Sequence, residues 1–274
     1  MIIVDGKQIA GKIIAELKKR PAPQEELAAI LVGENAASAS FLRQKEKIAK
    51  DLGVNFRLYQ INSQLSEGEL KAELLKIIGN DSVGGFILQL PLPEKYDRAN
   101  ILDSLPSEKD ADSLTGKGLA VPPAVLAVQD VLKEVNFSIG DKIVGVVGRG
   151  LLVGRPIAEF LSGKCREVIV FHTKTDLSRL KDCDLVISGV GKAGLIKPEM
   201  LKAGAGVIDF GYAKCERKSD NANDANKSTL CGDFDTFNFS PLTFNLSFYT
   251  PTPGGTGPIL VAELFRNFYN LSNA

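Results

Sequence analysis

The stretch that most restricts the fold of this chain runs from Lys142 to Phe160, KIVGVVGRGLLVGRPIAEF. It opens with a short apolar run, Ile143–Val147, bounded by glycine, which reads as a strand buried on both faces. Gly148, Gly150 and Gly154 follow, then a helical pattern that carries Ile157, Phe160 and Leu161. Glycine suits such a turn because close backbone approach leaves no room for a Cβ. The N–H groups that open the helix then face a phosphate, helped by the positive end of the helix dipole. This is the pyrophosphate grip of a dinucleotide fold. The spacing is GxGxxxG rather than GxGxxG, so a glycine-rich turn without a ligand stays open until the flanking chain is read.

That flanking chain alternates helix and strand. A helix is expected over GKQIAGKIIAELKKR, with Ile9, Ile13, Ile14 and Leu17 on one face. Strands are expected at Leu27–Gly33, Asn55–Ile61 and Gly84–Leu90. Between them fall helices at Ser38–Leu52 and after Ser66, whose hydroxyl and Glu69 form a capping-box pair. A helix over Ala124–Val135 leads into the glycine turn, and further strands are expected at Glu167–Phe171, Asp184–Ser188 and Gly206–Phe210. The segment CERKSDNANDANKST is polar and reads as a solvated loop. A last helix covers Ile259–Tyr269. The alternation predicts an α/β protein, and 274 residues allow two three-layer αβα domains, the second a Rossmann-type dinucleotide-binding domain.

Composition narrows the partners. Lys+Arg and Asp+Glu balance at 33 each, so no basic surplus points to nucleic acid or an anionic membrane. No apolar run is long enough to span a bilayer, and MIIVDG starts as a strand rather than as a targeting peptide. The cysteines, Cys165, Cys183, Cys215 and Cys231, form no CxxC pair, and His172 is the single histidine. No metal site is expected; free thiols in a reducing cytoplasm fit better.

Several side chains stand out. Phe41, Lys45, Ile48 and Leu52 share one face of the second helix, so Lys45 occupies a position where an apolar residue belongs. It is either a lysine snorkelling at the edge of the stripe or one projected into a pocket where desolvation lowers its pKa. Phe41, one turn earlier, would wall the same pocket. Gln89 closes an apolar strand at the end where parallel sheets hold their ligands, which needs amide partners for catalytic or purely structural reasons. Asp110 and Asp112 follow in a loop, a weak signal alone. After the second strand of the dinucleotide region stand His172, Thr173, Lys174 and Thr175, donors where an NAD-binding fold places an acid, and Arg149 lies in the glycine turn. This favours NADP, with Asp176 as the residue that argues the other way.

Taken together, these stretches resemble the bifunctional methylenetetrahydrofolate dehydrogenase/methenyltetrahydrofolate cyclohydrolase family over nearly the whole chain. The matching segments are ILVGENAASASFLRQKEK, GFILQLPLP, PSEKDADS, GRGLLVGRP, HTKT, GAGVIDFG and TPTPGGTGPIL. The resemblance puts the catalytic lysine at Lys45, the glutamine that tunes it at Gln89 and the folate-binding aspartate at Asp112. It implies folate contacts from Phe41, Leu90, Pro91, Pro253, Gly254 and Gly255, and NADP contacts from Gly148, Arg149, Gly150, Gly154, Thr173, Lys174 and Tyr212. It implies a catalytic domain of 1–122 and 256–274, an NADP-binding domain of 123–255, a homodimer and a cytoplasmic location. The chain departs from the family where Phe41 replaces a tyrosine, Gly150 a serine and Ser113 a glycine, and where Ala120-Val121-Pro122-Pro123 shortens a loop.

The expected activity is oxidation of 5,10-methylenetetrahydrofolate with NADP, then hydrolysis to 10-formyltetrahydrofolate. Two alternatives stand beside it. One is a dehydrogenase with weak or lost cyclohydrolase activity, motivated by Phe41. The other is a non-catalytic nucleotide-binding protein, against which the retained Lys45, Gln89 and Asp112 argue.

Overall fold

A computed structural model describes residues 1–216, 228–240 and 245–272. In chain order the elements are β1 (Ile2–Ile3), α1 (Gly6–Leu17), β2 (Glu26–Val32), α2 (Ala36–Leu52), β3 (Phe56–Ile61), α3 (Glu67–Ile78), β4 (Val83–Leu88), α4 (Arg98–Asp103) and α5 (Pro123–Glu134). They continue as β5 (Ile143–Val147), α6 (Gly154–Leu161), β6 (Glu167–Phe171), β7 (Leu185–Ser188), β8 (Gly206–Asp209), β9 (Ala213–Glu216), β10 (Ser228–Cys231), β11 (Phe248–Tyr249) and α7 (Thr256–Leu271). The chain divides into two compact units: Ala10–Pro123 with Val261–Ala274, and Met1–Ile9 with Ala124–Leu260.

The first unit is built on a parallel sheet of order β3-β2-β4. Every residue of the central strand ELAAILV is buried, as a strand covered on both faces requires. On α3, Leu70, Leu74, Ile77 and Ile78 are buried as the apolar pattern predicts, whereas Leu75, expected with them, is exposed. The helix starts with the full capping box, Ser66 accepting from the Glu69 N–H while the Glu69 side chain accepts from Ser66. Phe265, Phe268 and Tyr269 of α7 are fully buried. Gly85 explains the close approach of α7 to β4, since a Cβ there would lie 2.7 Å from the Phe268 ring.

The second unit carries a six-stranded parallel sheet of order β1-β11-β8-β7-β5-β6. Strand order reverses at β5, with β6 on one side and β7 on the other. That switch point, at the C-terminal strand ends, is where open α/β sheets take ligands. The strands expected at Ile143–Val147 and Glu167–Phe171 form with those bounds. Both units are α/β with parallel sheets, and the second has Rossmann-type order.

Three features differ from the sequence reading. Met1–Ile9 lie with the second unit, because β1 pairs with β11 at Ile2–Phe248 and Ile3–Tyr249. The expected polar loop is flanked by an antiparallel pair, β9–β10, while residues 217–227 lie outside the described residues. The hairpin register brings Cys215 and Cys231 to a Cα–Cα distance of 6.0 Å, where they are joined as a disulfide. Only Cys165 and Cys183 are free, so the expectation of four free thiols does not hold.

Candidate active site

In the first unit, α2 begins where the Asn35 side chain accepts from the Ser38 N–H at 2.9 Å, and ends at Gly53 in the left-handed region, φ 69°. Leu42, Ala49 and Leu52 form its buried stripe. Lys45 sits within that stripe, half-buried, with the half-buried ring of Phe41 one turn before it. Its Nζ donates to Gln89 Oε1 at 3.3 Å.

Gln89 is held by its backbone and by its amide. Its N–H donates to the Ile30 carbonyl at 2.8 Å, continuing the β2–β4 ladder by one residue. Its Nε2 donates to the Leu90 carbonyl at 2.8 Å, which turns Oε1 towards Lys45. The amide orientation follows from these partners, because the donor end already faces a carbonyl. Leu90 is half-buried and Pro91, after a cis bond, is exposed.

Asp112 arrives from a different part of the chain. Asp110 bridges Phe86 in parallel, and the Ala111 N–H donates to the Phe86 carbonyl at 3.2 Å. The segment thus runs alongside β4 and leaves Asp112 at the same end as Gln89. Asp110 is fully buried and accepts from the Thr115 N–H at 2.8 Å, which closes the turn beneath Asp112. Within that turn Ser113 has φ 54°, a backbone that favours glycine, and its hydroxyl donates to the Ala120 carbonyl at 2.9 Å.

The electrostatics follow from desolvation. Burial lowers the Lys45 pKa, against the Asp112 charge that raises it. Burial likewise raises the Asp112 pKa, opposed by Lys45 and reinforced by Asp110. Burial also raises Asp110, against the N–H groups of Thr115, Leu114 and Asp112. A lysine whose ammonium is stripped of water, held by an amide oxygen and near one carboxylate, is suited to giving and taking a proton nearer neutrality.

In the second unit the nucleotide candidates gather at the C-terminal ends of β5, β6 and β8. Gly148 has φ 103°, and a Cβ at Gly154 would lie within 2.1 Å of the Gly148 carbonyl oxygen, so the turn closes on itself with bare backbone. A Cβ at Gly150 would meet nothing within 4 Å, leaving that position open to a bound group. Arg149, Gly150, His172, Thr173 and Lys174 are all exposed. Thr175 folds the turn after β6: its N–H donates to the His172 carbonyl at 2.8 Å, and its hydroxyl accepts from the His172 N–H at 3.2 Å. Asp176 caps the following 3-10 turn, Leu177–Asp182, by accepting from Ser178. The Ser178 hydrogen bonds lower its pKa, so the acid that argued for a ribose diol already has a local partner. These donors and the bare turn fit a phosphorylated dinucleotide.

Tyr212 is exposed just beyond β8. The preceding Gly211 carbonyl accepts from the Thr252 hydroxyl at 3.3 Å, which brings Tyr212 near the turn of Pro253, Gly254 and Gly255. That turn packs on the start of α1, where the Gly6 N–H donates to the Gly254 carbonyl at 3.0 Å. Lys45, Gln89, Asp112, Phe41, Leu90 and Pro91 therefore belong to the first unit, and the nucleotide candidates with Pro253, Gly254 and Gly255 to the second.

Sequence reasoning passed over three polar residues that shape these loops. Asn267 on α7 donates to the carbonyls of Ala111 at 3.0 Å and Val121 at 2.8 Å. Asp209, which closes β8, accepts from the N–H groups of Gly211 at 2.7 Å and Phe234 at 2.9 Å. Asp233, with no exposed surface, accepts from the Ser188 hydroxyl and from the N–H groups of Val190 and Lys192. An acid ending the apolar run VID was the one local signal.

Residues 4–112 match the catalytic domain of tetrahydrofolate dehydrogenase/cyclohydrolase, and residues 122–274 match its NAD(P)-binding domain. The chain is 34% identical to the bifunctional protein FolD of Campylobacter hominis, covering 97% of this chain and 95% of that one. Its fold is similar to the crystal structure of the FolD methylenetetrahydrofolate dehydrogenase/cyclohydrolase of Campylobacter jejuni, with a TM-score of 0.86, 31% identity, and coverage of 100% and 99% of the two chains. The corresponding Trypanosoma brucei enzyme, solved with NADP and an inhibitor, also matches with a TM-score of 0.86, at 27% identity over 99% and 97% of the chains. The chain belongs to the tetrahydrofolate dehydrogenase/cyclohydrolase family.

Proposed function

We propose that the protein oxidises 5,10-methylenetetrahydrofolate with NADP and hydrolyses the methenyl product to 10-formyltetrahydrofolate. The observation that carries this reading is the Lys45–Gln89 contact at 3.3 Å on a desolvated lysine, with Asp112 lowering the cost of its charge.

NADP, when bound, supplies the hydride acceptor. Toward it, Gly148, Gly150 and Gly154 offer backbone to the pyrophosphate, while Arg149, Thr173 and Lys174 offer donors to a 2′-phosphate. Tyr212 completes that site. Oxidation asks the protein mainly to orient the folate carbon and exclude water. Asp112 matches the pterin ring N–H and amino group, two adjacent donors for one carboxylate. The family resemblance further assigns folate contacts to Phe41, Leu90, Pro91, Pro253, Gly254 and Gly255. Ring opening needs more: the water that becomes the formyl oxygen must lose both its protons, one reaching the ring nitrogen whose bond to the methenyl carbon breaks and the other being released. Lys45 carries those protons, and Gln89 fixes where its Nζ stands.

The catalytic domain is assigned to 1–122 and 256–274 and the NADP-binding domain to 123–255, as the family resemblance implies. A homodimer in the cytoplasm is carried over from the family resemblance. No helix among the described residues is long and apolar enough to cross a membrane.

Phe41 supports a second reading, a dehydrogenase with weak ring opening, since the ring is present without the family's hydroxyl. Separate assays decide, one following NADPH formation from the methylene substrate and one following loss of the methenyl absorbance. Lys45→Met is expected to abolish ring opening and keep part of the hydride transfer. Phe41→Tyr is expected to raise ring opening more than oxidation, by tenfold or more if the hydroxyl acts as a donor, on the order typical of such groups. Unchanged ring opening in Lys45→Met would make Lys45 a packing residue. Absent ring opening in the native protein would establish the second reading.

A further inference from the structure

The carboxylate of Asp233 has no exposed surface, stands just after β10, and faces three donors from the end of β7 and the loop that follows it. Ser188 Oγ donates to its Oδ2 at 2.6 Å, the Val190 N–H to the same oxygen at 2.7 Å, and the Lys192 N–H to its Oδ1 at 2.7 Å. No salt bridge to Asp233 is present among the described residues, so this buried carboxylate is satisfied by one hydroxyl at the end of β7 and two backbone N–H groups of the loop after it. The loop it gathers follows β7, on the inner side of the switch point. It also meets the glycine turn, since a Cβ at Gly148 would lie 3.2 Å from the Val190 side chain and 3.4 Å from the Gly189 carbonyl oxygen. On its other side Asp233 is wedged against the chain after β8, where a Cβ at Gly211 would lie 2.3 Å from its backbone nitrogen. The neighbouring Asp209 accepts from Phe234 and Gly211, so the two acids tie together the ends of β7 and β8.

We infer that Asp233 is a positioning residue for the dinucleotide: by holding Ser188, Val190 and Lys192, it fixes the wall opposite the Gly148 turn and so sets the affinity for NADP. This rests on the proposed dinucleotide site. A carboxylate suits the task because one group accepts from all three donors, two on one oxygen and one on the other. Asparagine has the same shape but only one acceptor oxygen. Its NH2 would face either the Lys192 N–H or the Ser188 and Val190 donors, and the loop would move away.

The test measures NADP binding by calorimetry in the full-length native protein, Asp233→Asn and Ser188→Ala. Ring opening of the methenyl substrate is assayed alongside without added nucleotide. Asp233→Asn is expected to weaken NADP binding at least tenfold, Ser188→Ala about threefold, with ring opening within twofold of native in both. A merely structural role would lower both readouts together or neither. An unchanged dissociation constant in a folded Asp233→Asn overturns the inference, as does a parallel loss of ring opening. Should Asp233→Asn fail to fold, Ser188→Ala decides by the same criteria. Native protein that binds no NADP would overturn the dinucleotide reading and this inference with it, whereas native binding with unaffected variants would overturn this inference alone.

Discussion

Asn267, near the end of α7, donates its side-chain amide to the carbonyl of Ala111 at 3.0 Å, one residue before Asp112. The other hydrogen of the same amide serves Val121, so a single buried side chain from the last helix fastens both ends of the loop that carries the aspartate. Residues remote in sequence thus decide how firmly Asp112 is held.

Asn267→Ala leaves two carbonyls short of a donor, a cost of about 1–3 kcal/mol for a buried group. The variant is expected to melt at lower temperature and to show a raised KM for the folate substrate, with NADP affinity unchanged. Thermal melts and the two titrations check this. An unchanged folate KM would show that the Asp112 loop holds its shape without α7.

Asp112→Asn removes the charge that raises the Lys45 pKa, while the desolvation that lowers it remains. The acid limb of the pH profile for ring opening, where Lys45 loses its proton to become a base, should therefore move to lower pH in the variant, and folate KM should rise. A profile that stays in place would uncouple Lys45 from Asp112. In the native protein the same limb should already lie below the ordinary lysine range.

Arg149→Ala is expected to raise the KM for NADP roughly ten- to hundredfold, following ~1.5–3 kcal/mol for a bond to a charged group. The KM for NAD should change little. Equal effects on both nucleotides would place Arg149 away from the 2′-phosphate.

Burial raises the Asp209 pKa to about 6, against the N–H groups of Phe234 and Gly211 that favour its charge. The folded state then holds a proton that the unfolded chain, near the ordinary carboxylate value of 3.8, has released. Stability contributed by this group is complete below the unfolded value and is lost as pH rises towards 6, by about 1.4 kcal/mol per pH unit between the two. Compared with Asp209→Asn, the native protein should lose relative stability from pH 4 to 6 and track the variant above that. Denaturant melts at stepped pH measure the difference, and a constant offset would show that Asp209 does not titrate in this range.

The local signals proved legible and the remote ones did not. Ser66 and Glu69 announce α3 because a capping box is complete within four residues, and the glycine turn announces β5 and α6 for the same reason. Lys45 stood out because it breaks an apolar stripe, which is a property of one helix. Its hydrogen bond to Gln89 depends on the pairing of β2 with β4, which periodicity does not report. β1 and β11 are each two residues long and exist through each other and β8, so neither has a pattern of its own. The Cys215–Cys231 pair needed the hairpin register, since the spacing of the two cysteines resembles no motif. Asn267 and Asp233 carry no local signal, because the groups they hold come from distant parts of the chain.

The division of the chain at Pro123 and Leu260 has a consequence for how the molecule is made. The first unit contains Ala10–Pro123 but lacks Phe265, Phe268 and Tyr269 until α7 is complete. As the chain leaves the ribosome, β4 must wait with its α7-facing side uncovered while all of Ala124–Leu260 is synthesised. At ~5–20 residues per second that delay is on the order of ten seconds or more, far longer than hydrophobic collapse. The second unit, with β1 already waiting at the N-terminus, can close its sheet before the first has its last helix. A nascent chain of this protein therefore carries an uncovered apolar face on β4 for most of its synthesis.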